Sequence, residues 1–516
     1  MSTHSTRASG ETRFVGNDRV LFGIIFGVLA FWLFAQTTLN ISPVMAADLG
    51  IETGVMNIAV SITALFSGIF IVVVGSLADR FGRVKMVQIG FVLSIIGSLL
   101  VGSAPSGGLA SVFLMLGRIL QGLSGAFIMP ASLALVKAYW DGAARQRAIS
   151  LWSIGSWGGS GFAALFGGVM AENVGWRWIF FAAAAISLLG MLMVAGTPES
   201  RAASTGAYKF DTAGVLTFMV MMVALQVFAT QGGAMGWTSL PTLGLLAGSV
   251  VFAVLFYRIE SGNPNGFVDF ALFRNMTYTG ATISNFLLNA TAGILIVAML
   301  LVQVGGGMTA QQAGFLTIGY AVAIVAFIRV GEKLLRRFGP RPPMIWGSLI
   351  VGAAIACLLP TNLTLGAYKP LAVAGFTLFG LGLAFYATPS TDAALSALPD
   401  AQAGSGAGIY KMASSLGASF GVAISATVFT ALSGGNRSIA WIEGVISYLG
   451  RQDNLAVRQA AFFALAINLL MVVAAIVSIV VTIPGRKRSE GARVSGATVV
   501  GGDPGIIKRA RSRARS

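Results

Sequence analysis

Apolar stretches, each about the length of a membrane crossing, follow one another along nearly the whole chain, broken by short polar or glycine-rich intervals. A helix needs roughly 20 apolar residues to cross the hydrocarbon core of a bilayer. Such stretches fall at 20–40, 53–77, 86–104, 109–134, 148–170, 178–196, 212–230, 240–257, 278–304, 312–330, 343–361, 368–390, 405–432 and 459–483. The pattern predicts an all-α polytopic membrane protein with fourteen transmembrane helices. Runs of this length exclude a barrel of short alternating strands. The first stretch is long for the apolar core of a signal peptide, and further hairpins follow it, so it is expected to remain as a helix.

Charge in the polar breaks is asymmetric. With the amino terminus placed in the cytoplasm, Arg7, Arg13, Arg19, Arg80, Arg83, Lys85, Lys137, Arg145, Arg147, Arg201, Lys209, Arg258 and Arg274 fall inside. Arg329, Lys333, Arg336, Arg337 and Arg341 fall there too, followed by Lys411 and the basic run beyond Pro484. Arg177, Lys369, Arg437, Arg451 and Arg458 lie at outer loops. This is the positive-inside pattern, and it predicts an even number of crossings with both termini cytoplasmic.

Composition narrows the function. Of 516 residues, 56% are hydrophobic and only 10% charged, against about a quarter charged in soluble domains, which excludes a cytosolic enzyme. The net charge of +16 is juxtamembrane and suits an anionic lipid leaflet better than nucleic acid. One histidine, His4, and one cysteine, Cys357, leave no material for a metal centre, an internal disulfide or histidine base chemistry. No cofactor is expected. Without a GxxxxGK[ST] motif or an inner loop long enough for a nucleotide-binding domain, an ATP-driven pump is not expected either.

Polar residues inside apolar spans single out candidate sites. Arg118 lies deep in the fourth span with Gln121 one turn away; an intramembrane arginine orders a proton path, holds a carboxylate or attracts an anion, unless it snorkels to the interface. Gln36 and Asn40 share one face of the first span beside Trp32 and Phe34. They line a cavity or bond across to a neighbouring helix. Asn285 and Asn289 repeat that spacing in the ninth span. Trp152 and Trp157 in the glycine-rich fifth span point in different directions, so at most one need touch a substrate. Tyr386 opens the segment Tyr-Ala-Thr-Pro-Ser-Thr-Asp ending at Asp392, where Pro389 predicts an interrupted helix serving as a gate or a terminus. No carboxylate lies near the middle of a span. Asp48 and Glu52 are the outer candidates for proton coupling, and Asp79 and Asp392 the inner ones; each also suits a plain structural role in its loop.

The loop Gly-Ser-Leu-Ala-Asp-Arg-Phe-Gly-Arg-Val-Lys from Gly75 to Lys85 resembles the loop 2–3 signature of the major facilitator superfamily, with Asp79, Arg80, Gly82 and Arg83 at its characteristic positions. Leu-Gly-Arg-Ile-Leu-Gln-Gly at 116–122 resembles the family's fourth-helix motif, and Val-Gly-Trp-Arg-Trp-Ile-Phe-Phe at 174–181 a segment of its fourteen-helix drug:proton antiporter branch. Residues 386–392 and 408–424 are similar to the staphylococcal Nor-type quinolone efflux pumps. Two positions depart from the pattern: Ala163 and Ala164 replace the Gly-Pro of the fifth-helix antiporter motif, and Ala35 stands where many relatives carry an aspartate.

The resemblance implies six-helix halves at 18–196 and 276–484, an inserted helix pair within 197–275, a short tail at 1–17 and a basic tail at 485–516. It implies a proton role for Arg118 and a midplane cavity. Asp79 is expected to meet the positive end of the helix beginning near Gly404 and so close the inner side. The implied protein is a monomeric carrier of the bacterial cytoplasmic membrane that exports hydrophobic or amphiphilic drugs and biocides, among them quinolones and cationic dyes, in exchange for protons. The alternatives are the same frame carrying an endogenous metabolite, siderophore or lipid-like anion, a channel or non-transporting scaffold, and, least supported, an enzyme.

Overall fold

In the computed structural model, which describes residues 14–201, 211–263, 266, 268–308, 310–433 and 444–485, the apolar stretches are helical. Fourteen helical paths follow in order among the described residues: α1 (18–49), α2 (Thr53–Phe81), α3 (Arg83–Gly102), α4 (Ala110–Tyr139), α5 (142–173), α6 (Arg177–Val194), α7 (Thr212–Met235) and α8 (Leu240–Ser261), then α9 (276–305), α10 (310–338), α11 (Arg341–Leu358), α12 (Leu365–Ala397), α13 (Ala403–Ser433) and α14 (Leu455–Thr482). Thirteen are long and apolar enough to cross a membrane. The other is α5, which opens on Gly-Ala-Ala-Arg-Gln-Arg and continues through small residues. The protein is an all-α polytopic membrane protein.

Small residues let these helices touch backbone to backbone, because lipid tails supply no hydrophobic drive for helix association and close packing must do so. A Cβ on Gly97 of α3 would lie 2.8 Å from the Gly117 carbonyl oxygen of α4, and one on Gly347 of α11 would lie 2.6 Å from that of Gly382 on α12. Large apolar side chains turned outward, such as Val250 and Val254 on α8 and Leu470 and Val477 on α14, form a lipid-facing perimeter. The α7–α8 hairpin seats α7 against α2 and α13, where Gln226 donates to Ser419 Oγ at 3.1 Å.

Three paths contain a π-helical turn: Ala30–Ala35 in α1, Ile154–Gly158 in α5 and Leu301–Gly305 in α9. Such turns insert a residue into the helical ladder and recur at functional sites. In α9 the helix also breaks at Thr291–Ala292. The interruption expected at Pro389 does not occur, since α12 runs unbroken through Pro370 and Pro389. Buried packing against α10 and α11 holds the segment helical despite the missing N–H.

Candidate functional site

At the inner end, α2 and α13 cross at a glycine pair. A Cβ on Gly75 would lie 2.4 Å from the Gly404 carbonyl oxygen, and one on Gly404 equally close to that of Gly75. This approach delivers the buried carboxylate of Asp79 to the first turn of α13. Asp79 accepts from the Gly404 N–H at 2.9 and 2.8 Å and from the Ser405 N–H at 3.0 Å. Those N–H groups have no intrahelical acceptor and carry the positive end of the helix dipole. Arg83 donates to the same carboxylate at 2.8 and 3.1 Å and continues to the Asp400 carbonyl at 2.7 Å and Ser200 Oγ at 3.1 Å. Arg80, half-buried beside them, reaches the Gly266 carbonyl at 3.4 Å.

Gly82 turns the chain with φ +120°. A Cβ there would meet the Glu199 carboxylate at 2.4 Å, which accepts from the Val84 and Lys85 N–H groups at 2.8 and 3.0 Å. Sequence reasoning passed over Glu199; the Pro-Glu-Ser stretch that delivers it carries no motif. Two further pairs tie the inner ends together: Lys137 with Asp400 at 3.5 Å and Arg145 with Asp392 at 3.5 Å. Arg145 also donates to Ser396 Oγ at 2.9 Å. This end of the bundle is thus held together by contacts from α2, α4 and α5 to α12, α13 and the turn between them.

Arg118 is fully buried in α4 and points into the bundle. It donates to the carbonyls of Ala35 at 2.7 Å and Ala59 at 3.0 Å and to Gln121 Oε1 at 2.9 Å. Ala35 ends the π turn of α1 and caps the α-helical segment that follows. Gln121 in turn donates to Ser98 Oγ at 3.2 Å. The outer carboxylates lie elsewhere. Asp48 pairs with Arg177 and accepts from Trp176 Nε1 at 3.1 Å; the hydrogen bond from Arg177 holds its carboxyl below the ordinary carboxylate range. Glu52 is exposed at the N-cap of α2 and its side chain bonds no cap N–H.

A cavity of about 100 Å³ is lined by Trp32, Ser156, Trp157 and Ser160 from α1 and α5, by Leu288, Asn289, Ala292 and Leu295 from α9, by Tyr320, Phe379 and Leu383 from α10 and α12, and by Lys411, Ser414 and Ala418 from α13. Trp32 and Trp157 sit in the π turns and Asn289 just before the break in α9. The buried Trp32 Nε1–H has no acceptor among the described residues.

Of the other residues expected here, Phe34 packs edge-on against Phe166 towards the outer end, and Gln121 serves Arg118. Trp152 is fully buried behind the wall, donating to Ser132 Oγ at 2.9 Å. Asn285 supports the wall by donating to Ser414 Oγ at 2.6 Å and the Tyr410 carbonyl at 2.9 Å, and Asn289 donates to Asn285 Oδ1 at 3.0 Å. Tyr386 belongs to a buried hydroxyl cluster, 2.8 Å from Ser284 Oγ and 3.0 Å from Ser390 Oγ, which continues to Tyr410 at 2.9 Å. The side chains of Gln36 and Asn40 lie outside the described residues.

Lys411 corrects the charge count of the sequence. It is not an inner-loop cation but a buried one, on the cavity wall with its ammonium 4.7 Å from the Trp152 ring centroid. The helix of α13 begins at Ala403, which carries position 411 two turns into the bundle.

Residues 21–273 and 281–511 match the Major Facilitator Superfamily. The chain is 47% identical over 433 residues to the quinolone resistance protein NorB of Staphylococcus aureus strain MRSA252, covering 83% of this chain and 91% of that protein. It is 47% identical over 426 residues to the quinolone resistance protein NorB of strain JH9, covering 81% and 90%. Among solved structures, the proton:xylose symporter XylE bound to 6-bromo-6-deoxy-D-glucose is similar in fold, with a TM-score of 0.61 over 90% of this chain and 96% of that one at 16% identity. An apolar helical bundle closed at its inner end around a loop of this kind, with matches over most of its length, is a membrane transporter: the chain belongs to the major facilitator superfamily.

Proposed function

We propose that the protein is a proton-coupled antiporter of the fourteen-helix drug-export branch, moving hydrophobic or amphiphilic small molecules out of the cell by alternating access. The observation that carries the reading is the aromatic cavity between the two helix sets, closed on its inner side by the seat of Asp79 on α13. In this reading the halves span 18–196 and 276–484, with the pair within 197–275 inserted between them, and both termini are cytoplasmic. Trp32, Trp157, Tyr320 and Phe379 supply apolar and π surface, with Asn289, Ser156 and Ser160 for loose polar contacts, so that shape and hydrophobicity select more than any fixed hydrogen-bond pattern. Release of Asp79 from the Gly404 and Ser405 N–H groups, together with the Lys137–Asp400 and Arg145–Asp392 pairs, opens the inner side. Arg118 keeps α1, α2 and α4 together through backbone carbonyls and so positions the proton path rather than pairing with Asp48 or Glu52. The naming of the NorB relatives for quinolone resistance supports the drug reading.

The test uses purified protein in sealed vesicles with a pH-sensitive dye inside. A pH gradient should drive accumulation of a planar amphiphile, and adding that amphiphile to the detergent-solubilised protein should release protons. Ion current without gradient-driven accumulation would instead mark a channel. A second reading, the same carrier acting on an endogenous lipid-like anion, is favoured by one observation, the buried Lys411 side chain on the cavity wall; growth with and without the gene in the presence of drugs separates the two.

A further inference from the structure

The α7–α8 pair touches both α2 and α13, the two helices that meet at the seat of Asp79, but it is joined to them differently. A row of aromatic rings, with centroids 5.3 to 6.4 Å apart, runs from Phe218 on α7 to Phe256 on α8, then through Phe270 and Phe273 in the 3₁₀ turn Phe270–Arg274, and ends on Tyr278 in the first turn of α9. The Tyr278 hydroxyl donates to the Gly406 carbonyl at 2.7 Å, in the same turn of α13 whose Gly404 and Ser405 N–H groups hold Asp79. Hydrogen bonds follow the same route. Gln226 of α7 donates to Ser419 of α13, Gln402 before α13 donates to Asp269 Oδ2 at 2.7 Å, and Asn275 donates to the Ala397 carbonyl at the end of α12 at 3.2 Å. Towards α2 the pair presents apolar packing and the Gly266 carbonyl, 3.4 Å from an Arg80 nitrogen. Glu260, buried at the end of α8, folds the chain back there by accepting from the Val268 N–H at 2.6 Å. Lipid tails replace apolar contacts between helices more readily than they replace hydrogen bonds, and tilted ring pairs add an attraction that depends on fixed geometry. The pair therefore parts from α2 at less cost than from α9 and α13.

Resting on the two-half reading above, we propose that the inserted pair is a rigid extension of the C-terminal half: α7 and α8 travel with α9 and α13, and α2 leaves α7 in the same movement that takes Asp79 off its seat. The Arg80–Gly266 contact is then a second tie across the inner closure, made by the chain that follows the pair. Tyr278 is the positioning residue of the unit, because it ends the aromatic row on the turn of α13 that receives Asp79. The chain enters the pair from the other half, where Ser200 accepts from Arg83 and Glu199 accepts from the first N–H groups of α3. Entry and exit thus lie on opposite halves, and the body of the pair belongs to the second.

The experiment measures distances between spin labels by double electron–electron resonance on the full-length protein in nanodiscs. Labels are carried in pairs on Lys85→Cys of α3, Leu216→Cys of α7 and Val477→Cys of α14, all exposed positions, in a Cys357→Ser background. Asp79→Asn, Lys137→Gln and Arg145→Gln together remove the inner ties. A longer component should then enter the Lys85–Val477 distribution and, at equal weight, the Lys85–Leu216 distribution, while Leu216–Val477 keeps its single peak. A longer Leu216–Val477 component would overturn the proposal, as would a fixed Lys85–Leu216 distance beside a lengthened Lys85–Val477 one. No lengthening in any pair would remove the inner closure and the proposal with it. A second variant tests the row itself. Phe270→Ala with Phe273→Ala, on otherwise native chain, should broaden Leu216–Val477 and leave Lys85–Val477 as it was; an unchanged Leu216–Val477 peak would overturn the part played by the rings. The distances carry no information on cargo, so the two proposals fail separately. Joint movement of α7 with α14 in a protein without gradient-driven accumulation removes export and leaves the rigid unit standing. Accumulation by a protein whose α7 follows α3 does the reverse.

Discussion

Replacing Asp79 by asparagine isolates the contact that closes the inner side. The Asp79–Arg83 pair lies at adjacent helix ends four residues apart and does not cross to α13, so it drops out of the comparison. What differs between closed and open states is the seat on α13: three hydrogen bonds from two N–H groups, at 2.8 to 3.0 Å. Asparagine keeps one acceptor oxygen and turns an amide N–H₂ towards the other donors. Hydrogen bonds to a charged group are worth about 1.5–3 kcal/mol each, and the lost interaction with the helix dipole adds about 0.3–1 kcal/mol. With one good hydrogen bond retained, the closed state should lose about 2 kcal/mol, a shift of roughly 30-fold towards the inward-open state. The assay is modification of an Ala407→Cys protein in a Cys357→Ser background, since Ala407 is fully buried in α13. A membrane-impermeant maleimide offered from the cytoplasmic side should react about 30-fold faster once Asp79→Asn is added, for a starting population almost wholly closed, and export should fall. An unchanged labelling rate together with unimpaired export by a properly inserted protein would refute the reasoning.

Other perturbations read other parts of the site. Arg118→Ala removes the charged donor that ties the carbonyls of Ala35 and Ala59 and the Gln121 side chain together, hydrogen bonds worth about 1.5–3 kcal/mol each, so a fall in Tm is expected; Arg118→Lys should recover part of the stability but, lacking the planar fork, little of the transport. The Asp48–Arg177 pair behaves oppositely. Its carboxyl titrates below the ordinary range in the folded protein, so its stabilisation is present above about pH 4 and is lost as pH falls through the depressed folded value. Arg177→Gln should therefore lower Tm slightly at neutral pH, with the difference from the native chain vanishing in acid, and should leave the pH profile of export near neutrality unchanged. Trp32→Phe keeps the ring but removes the unpaired N–H: affinity for purely apolar substrates should hold, whereas substrates with a hydrogen-bond acceptor should weaken by about 1 kcal/mol, measured by fluorescence titration. Equal losses for both classes would mean that the N–H meets no substrate.

The helices were legible because lipid imposes length and apolarity on each crossing, and thirteen of the fourteen helical paths meet both conditions. The seat of Asp79 was legible for a related reason: a carboxylate at one helix end and glycines at the start of another are local features, and the close approach of Gly75 and Gly404 joins them. The partners of Arg118 were not, since they are backbone carbonyls, which leave no trace in side-chain identity. Its depth could be counted, but the π turn that ends at Ala35 follows no motif. That kind of turn also resets the helical phase. Residues five apart on an α-helix diverge by about 140° at 100° per residue, and the π turn Ile154–Gly158 begins after Trp152 and contains Trp157, with Trp157 on the cavity and Trp152 behind it.

Lys411 shows where linear reasoning fails in principle. A charge count assigns every cation to water unless an opposite charge stands at a fitting spacing, and the partner of Lys411 is an aromatic ring 259 positions away on another helix set, with the remaining face given to a cavity. Nothing local distinguishes such a lysine from one that ends a loop. The distinguishing quantity is how far α13 has risen into the bundle by that point, and α13 is drawn in by Gly404 and Gly408 meeting α2. The same glycines that let Asp79 close the inner side therefore place the buried lysine, which physically links the position of the closure to the wall of the cavity.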